Sequence, residues 1–257
     1  MATVIEARDL RTEFGNVCIH AGLDLCVERG ETLAVVGGSG SGKTTLLREM
    51  NMLIRPSAGV LRVLGEDVLR LAESGIYRLR QRIGVMFQHG ALFSALTVRE
   101  NVEVPLKEHT NLSGAMIREL AMLKIGLAGL SPEAAYQYPR ELSGGMLKRA
   151  AVARALALDP EIVFLDEPTA GLDPVSAEGF DELVVQLKES LGLTIVLVTH
   201  DLDTLWRTTD RVAFLGEQRV LALAPMAELS RNEHPAIRAY FSGPRGRAAR
   251  EARWTHA

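Results

Sequence analysis

The segment Gly37-Gly38-Ser39-Gly40-Ser41-Gly42-Lys43-Thr44-Thr45 has the composition and spacing of a phosphate cradle. Four glycines in such a run let the backbone curl until successive N–H groups point inward at an anion. The loop follows an apolar run, Thr32 to Val36, and opens a stretch with helix-forming residues, which is the context such a loop requires. The helix N-terminus adds partial positive charge. Lys43 is placed to neutralise the β- and γ-phosphates of a nucleotide, and the Thr44 hydroxyl to ligate Mg²⁺. A plain Gly/Ser turn between strand and helix is the bland alternative, and the ordered strand, loop and helix argue against it.

Three further positions extend that chemistry. Ile162 to Leu165 runs into Asp166-Glu167, which puts two carboxylates at the carboxyl end of a parallel strand, where the ligand crevice of such sheets lies. Asp166 is placed to hold Mg²⁺ through water, and Glu167 to polarise an attacking water as general base. His200 ends the strand that closes with Val198-Thr199, and Gln88 follows the one ending at Phe87. Each alone is a weak signal. Downstream of a phosphate loop, His200 is a candidate γ-phosphate contact, and the Gln88 amide a candidate for orienting water or touching Mg²⁺. Ser143-Gly144-Gly145 opens a helical pattern read as Met146 to Leu158, and so exposes backbone N–H groups at a helix start, which suits an anion.

The elements that must position these residues alternate between apolar runs and helical patterns, the signature of a mostly parallel, helix-covered sheet. Thr32–Val36, Ile83–Phe87, Ile162–Leu165 and Thr194–Val198 are nearly continuous in apolarity, as strands buried on both faces are. Thr3–Phe14 and Gly59–Leu64 are predicted as further strands near an edge. From about Thr97 to Leu158 the pattern is helical, with Ser113 and Ser143 as N-caps. The predicted domain is residues 1–242 with a helical lobe at about 92–158. Residues 243–257 form a basic tail with Arg245, Arg247, Arg250 and Arg253, read as a solvated end, a lipid-headgroup contact or a clasp on a neighbouring subunit.

Composition sets the outer limits. The 257 residues are 47% hydrophobic and 24% charged with a formal net charge of −3, so no global pull toward nucleic acid is expected. Cys18 and Cys26 make no disulfide framework, which points to a reduced protein of the cytosol. No signal peptide is read at the N-terminus, and no run approaches the roughly 20 apolar residues of a membrane span, so any membrane role needs a partner as anchor.

Leu142-Ser143-Gly144-Gly145-Met146 completes an ordered set of motifs. With the phosphate loop, Gln88, Asp166-Glu167, Ala170-Gly171-Leu172-Asp173 and His200, it resembles the ATP-binding cassette family of transporter ATPases over roughly Val4 to Leu229. That resemblance implies a RecA-like α/β P-loop core with an N-terminal antiparallel β portion and an inserted helical lobe. It implies ATP and Mg²⁺ as cofactors, and a second copy of the chain sandwiching two ATP molecules head to tail. Phe14 is similar to the aromatic that stacks on adenine. Ser143, Gly144 and Gly145 resemble the signature that meets the γ-phosphate held by the other subunit, and Gly171-Leu172-Asp173 the loop that communicates between sites. Met146 stands where most members have Gln, and a thioether cannot donate a hydrogen bond to ribose.

That methionine, with the segment from Gly90 to Val102 and Pro105-Leu106, is similar to the ATPase subunits of Mla-type phospholipid transporters. The likeness implies an integral permease, a periplasmic MCE-domain protein and a small cytoplasmic STAS-domain protein as partners, at the cytoplasmic face of an inner membrane. The alternatives are another cargo, such as an amino acid, or a soluble cassette acting on ribosomes or DNA. The chain has neither the second cassette nor the strongly basic face usual in the latter. The apolar Ala91, Leu92, Phe93, Ala95, Leu96 and Val98 exceed what a solvated loop needs, and Phe93 is the candidate wall of a groove for a permease helix.

Overall fold

The structure, a computed structural model, describes residues 2–242. The basic tail named above lies outside the described residues. In chain order the elements are strands β1 (Thr3–Phe14), β2 (Val17–Glu28) and β3 (Thr32–Gly37), helix α1 (Lys43–Met50), strands β4 (Ala58–Val63) and β5 (Glu66–Asp67), helix α2 (Glu73–Arg80) and strand β6 (Ile83–Met86). Helices α3 (Val98–His109), α4 (Gly114–Leu127) and α5 (Gly144–Ala155) follow, then β7 (Ile162–Asp166), α6 (Pro174–Leu191), β8 (Thr194–Val198), α7 (Leu202–Thr208), β9 (Arg211–Gly216), β10 (Arg219–Ala224), α8 (Met226–Leu229) and α9 (Pro235–Ser242). The chain divides into two compact units. Of the described residues, one unit holds 2–72 and 196–242, and the other is Glu73–Ile195.

In the first unit β1 pairs antiparallel with β2 and β4, and β5 pairs with β4. Ile5 lies opposite Val27 on one side and Val63 on the other, and Ala7 opposite Leu25 and Leu61, so one face of the sheet is continuously apolar. Register shifts interrupt the β1–β2 pairing after Ala7. All six residues of β3 are buried, and β3 runs parallel to β9, with β10 antiparallel beyond. The Arg211 guanidinium holds both Glu31 carboxylate oxygens, at 2.8 and 2.7 Å, which locks the entry of β3 to the start of β9. Helix α1 buries Leu46, Leu47 and Met50, which fixes the direction in which the phosphate loop opens.

In the second unit β6 runs parallel to β7, with Ile83 opposite Ile162 and Val85 opposite Phe164. Gly84 is required there, since a Cβ would lie 2.4 Å from the Ala155 carbonyl oxygen. Helices α3, α4 and α5 pack round a cluster built from Val98, Val102, Ile117, Ala121, Ile125, Ala150 and Ala153. Their starts are capped by side chains. Ser113 accepts from the Met116 N–H at 3.3 Å, as its position predicts. Thr97 makes a reciprocal box with Glu100: the Thr97 N–H donates to the Glu100 carboxylate at 2.8 Å, and the Glu100 N–H to the Thr97 hydroxyl at 3.3 Å. The signature helix begins at Gly144 rather than at the predicted Met146, because Ser143 caps it through the Met146 N–H at 3.3 Å.

Candidate functional site

The phosphate loop connects β3 to α1 in the first unit. Gly37, Gly40 and Gly42 all have positive φ, at 152°, 77° and 95°. A Cβ on Gly37 would lie 2.3 Å from the Leu215 carbonyl oxygen, and one on Gly42 2.5 Å from His20 Nε2. Glycine is therefore demanded by space at both positions and by backbone conformation at the second. Gly42 caps α1 without a side-chain hydrogen bond, which leaves the helix start to an anion. Lys43 Nζ lies over the loop, donating to the Gly37 and Gly38 carbonyls at 2.9 and 2.8 Å. Gly38, Ser39, Gly40 and Thr44 are exposed, and Ser41, Gly42 and Thr45 half-buried.

Phe14 closes β1 in the same unit with its ring 48% exposed, so it is open to a flat ligand. His200 is exposed just beyond β8, between buried Thr199 and Asp201, which caps α7. Beneath the loop is a polar group that sequence reasoning missed. His20 and Glu49 are both fully buried with Nδ1 and Oε2 3.3 Å apart, and the Thr12 hydroxyl donates to the other Glu49 oxygen. No motif marks these residues, since they come from β1, β2 and α1.

The second unit holds Gln88, Asp166, Glu167 and Ser143-Gly144-Gly145. Gln88 is exposed after β6, Asp166 ends β7 half-buried, and Glu167 follows it in the left-handed region at φ 47°. Ser143 and Gly144 are exposed and Gly145 half-buried, at the first turn of α5. The signature also meets the loop after β7 and the first turn of α6: a Cβ on Gly144 would lie 3.3 Å from Leu172, and one on Gly145 3.7 Å from Ser176. Asp173 caps α6 by accepting from the Ser176 N–H at 3.0 Å, and hydrogen bonding from the Ser176 hydroxyl, together with that N–H, holds its carboxyl below the usual range. Met146 packs against the helical cluster, an apolar role the amide it replaces could not fill as well.

The segment after Gln88 is held by donors that no motif advertises. Asn101, fully buried on α3, donates to the Phe93, Leu96 and Thr97 carbonyls at 3.1, 3.1 and 3.0 Å and accepts from the Phe93 N–H at 2.7 Å. Arg154 on α5 donates to the Ala91 and Gly90 carbonyls at 2.6 and 3.0 Å. Burial pulls its pKa down. Val98 enters the helical cluster and Leu92 packs against it, while Phe93 remains 53% exposed. The apolar excess therefore divides into packed and exposed members.

A glycine-rich loop at a helix start, a serine-capped Gly-Gly helix and an acidic pair at a strand end define an ATP-hydrolysing cassette. The chain belongs to the ABC transporter family, matching it over residues 21–170. Within the family it is 37% identical over 243 residues to the "Intermembrane phospholipid transport system ATP-binding protein MlaF" of Escherichia coli (strain K12), covering 95% of this chain and 90% of that one. It is also 37% identical to the protein of that name in Haemophilus influenzae, over 93% and 90%. Among solved structures, it resembles a dimeric ATP-binding cassette in a post-hydrolysis state bound to ADP and Pi, with TM-score 0.79 and 30% identity over 86% of this chain and 98% of that one. It resembles cbiO1 of the cbiONQ transporter complex from Clostridium perfringens with TM-score 0.83 and 29% identity, over 98% and 100%. The fold is that of the family's ATPase, and the chain binds and hydrolyses ATP. Among the described residues no helix is long and apolar enough to cross a membrane.

Proposed function

We propose that this chain drives a phospholipid transporter of the Gram-negative envelope from the cytoplasmic face of the inner membrane. The observation that carries the reading is the 37% identity to MlaF across nearly the whole of both chains. A second cargo class has some support, since a "Probable ribonucleotide transport ATP-binding protein mkl" of Mycobacterium tuberculosis is 34% identical. The match spans only 68% of that protein, so lipid is the better reading. Residues 1–242 act as one cassette with a helical lobe at about 92–158. Two copies sandwich two ATP molecules, with an integral permease, an MCE-domain protein and a STAS-domain protein completing the complex.

In this reading Phe14 stacks on adenine, and Gly37 to Thr45 cradle the phosphates with Lys43 as the neutralising charge. Ser143, Gly144 and Gly145 receive the γ-phosphate of the other copy. Glu167 takes the proton of the attacking water, and His200 and Gln88 orient the γ-phosphate and that water. Thr44, Gln88 and Asp166 offer hydroxyl, amide and carboxylate oxygens, the hard donors that Mg²⁺ takes. Mg²⁺ would supply charge neutralisation between the phosphates. Phosphoryl transfer asks little covalent help of protein, so positioning and charge carry the rate.

Mass spectrometry of the natively purified complex, for proteins and lipids together, tests the assignment. Phospholipid with an integral permease and an MCE-domain protein is the expected result. Recovery of the chain alone, or with ribosomes, overturns it. Phe93→Ala tests the permease groove in the same preparation. The residue is half exposed and its backbone is held by Asn101, so the fold should survive. ATP binding should be unchanged and permease recovery reduced, because one aromatic anchor often dominates a small interface. A stable variant that assembles normally removes Phe93 from that role.

A further inference from the structure

Lys148 lies on α5, one turn beyond the Ser-Gly-Gly start, and is only 6% exposed. Its ammonium donates to the Gln88 carbonyl at 2.5 Å and to the Glu167 carbonyl at 3.1 Å. These two acceptors stand on the two segments that carry the water-orienting amide and the general base. Burial lowers the Lys148 pKa, and attraction to Glu167 and Asp166 opposes that shift. Taking an ammonium out of water is costly, so a residue chosen for packing alone would be apolar.

We propose that Lys148 is a positioning residue for hydrolysis, pinning the backbone of Gln88 and the backbone of Glu167 to the signature helix. Neither carbonyl reacts. Each fixes the start of the side chain that does. Glu167 stands in the left-handed region, where a non-glycine residue persists only when its surroundings hold it, and the Lys148 bond to its carbonyl is one such restraint. The same ammonium makes any movement of α5 a movement of both segments. The ATP bound at the signature would thereby be felt at the general base through one side chain. This inference rests on the roles proposed above for Gln88 and Glu167.

The test compares Lys148→Met with Lys148→Arg and Glu167→Gln in the full-length chain purified with its membrane complex. Met keeps the stem volume and removes both donors. The expected result is a melting temperature at or above wild type, unchanged ATP affinity and a kcat lower by about 10²-fold, the scale of a 1 Å misplacement of reacting groups. Arg, whose fork can reach two carbonyls, should restore most of the turnover. A folded Lys148→Met with wild-type kcat overturns the proposal, as does a loss confined to ATP affinity. If Lys148→Met does not fold, Lys148→Arg decides: a folded variant with near-normal turnover supports the proposal, and a folded variant without turnover overturns it. Glu167→Gln separates the two levels. Retained turnover there removes the assignment of the general base. Lost turnover there with normal turnover in Lys148→Met removes the positioning role alone.

Discussion

Glu167→Gln is expected to stop ATP turnover and leave ATP binding intact. The amide has the shape of the carboxylate but cannot take a proton from water. Loss of general-base help costs about 10²- to 10⁴-fold in rate. The backbone should not move, because what Lys148 holds at this position is the carbonyl, which the substitution does not touch. The variant should therefore accumulate with ATP bound and the two copies closed on each other. Steady-state hydrolysis and size-exclusion chromatography in Mg-ATP check both parts. Turnover above about a tenth of wild type is incompatible with Glu167 as the base.

Lys43→Ala is expected to lose affinity as well as rate. In the proposed role Lys43 meets the phosphates in the ground state, so its loss is felt before any bond breaks. A hydrogen bond to a charged group contributes about 1.5–3 kcal/mol, which is roughly 10- to 100-fold in Kd. The ammonium also bridges the Gly37 and Gly38 carbonyls, and removing it leaves those dipoles turned toward the cradle without a cation between them. That second effect adds to the first. An isotherm with Mg-ATP measures the sum, and unchanged affinity means that this loop is not the phosphate cradle. The pair of variants is informative together. Glu167→Gln should separate binding from hydrolysis, and Lys43→Ala should not.

Much of the candidate site was legible because its chemistry is local. A phosphate cradle needs consecutive N–H groups at a helix start, and only a contiguous run of small residues before a helix provides them. The same holds for Ser143-Gly144-Gly145. The strands Thr32–Gly37, Ile162–Asp166 and Thr194–Val198 were legible for a related reason, since burial on both faces writes an unbroken apolar run. Strand Val17–Glu28 escaped separate notice. It is buried on one face only, carries His20 and Asp24, and contains Gly22 at φ 72° where the pairing with β1 is irregular.

What the sequence by itself determined is the set of candidate reacting groups: a glycine-rich cradle with its lysine, an acidic pair proposed to supply the base, and a Ser-Gly-Gly signature, each carried by residues adjacent in the chain. What only the tertiary structure decided is how those groups are held. Lys148 reaches carbonyls 60 and 19 positions away. Arg154 spans 63 and 64 positions to hold the segment after Gln88. Such contacts leave no spacing in a sequence, because a side chain that donates to a backbone carbonyl asks nothing of the residue type that supplies it.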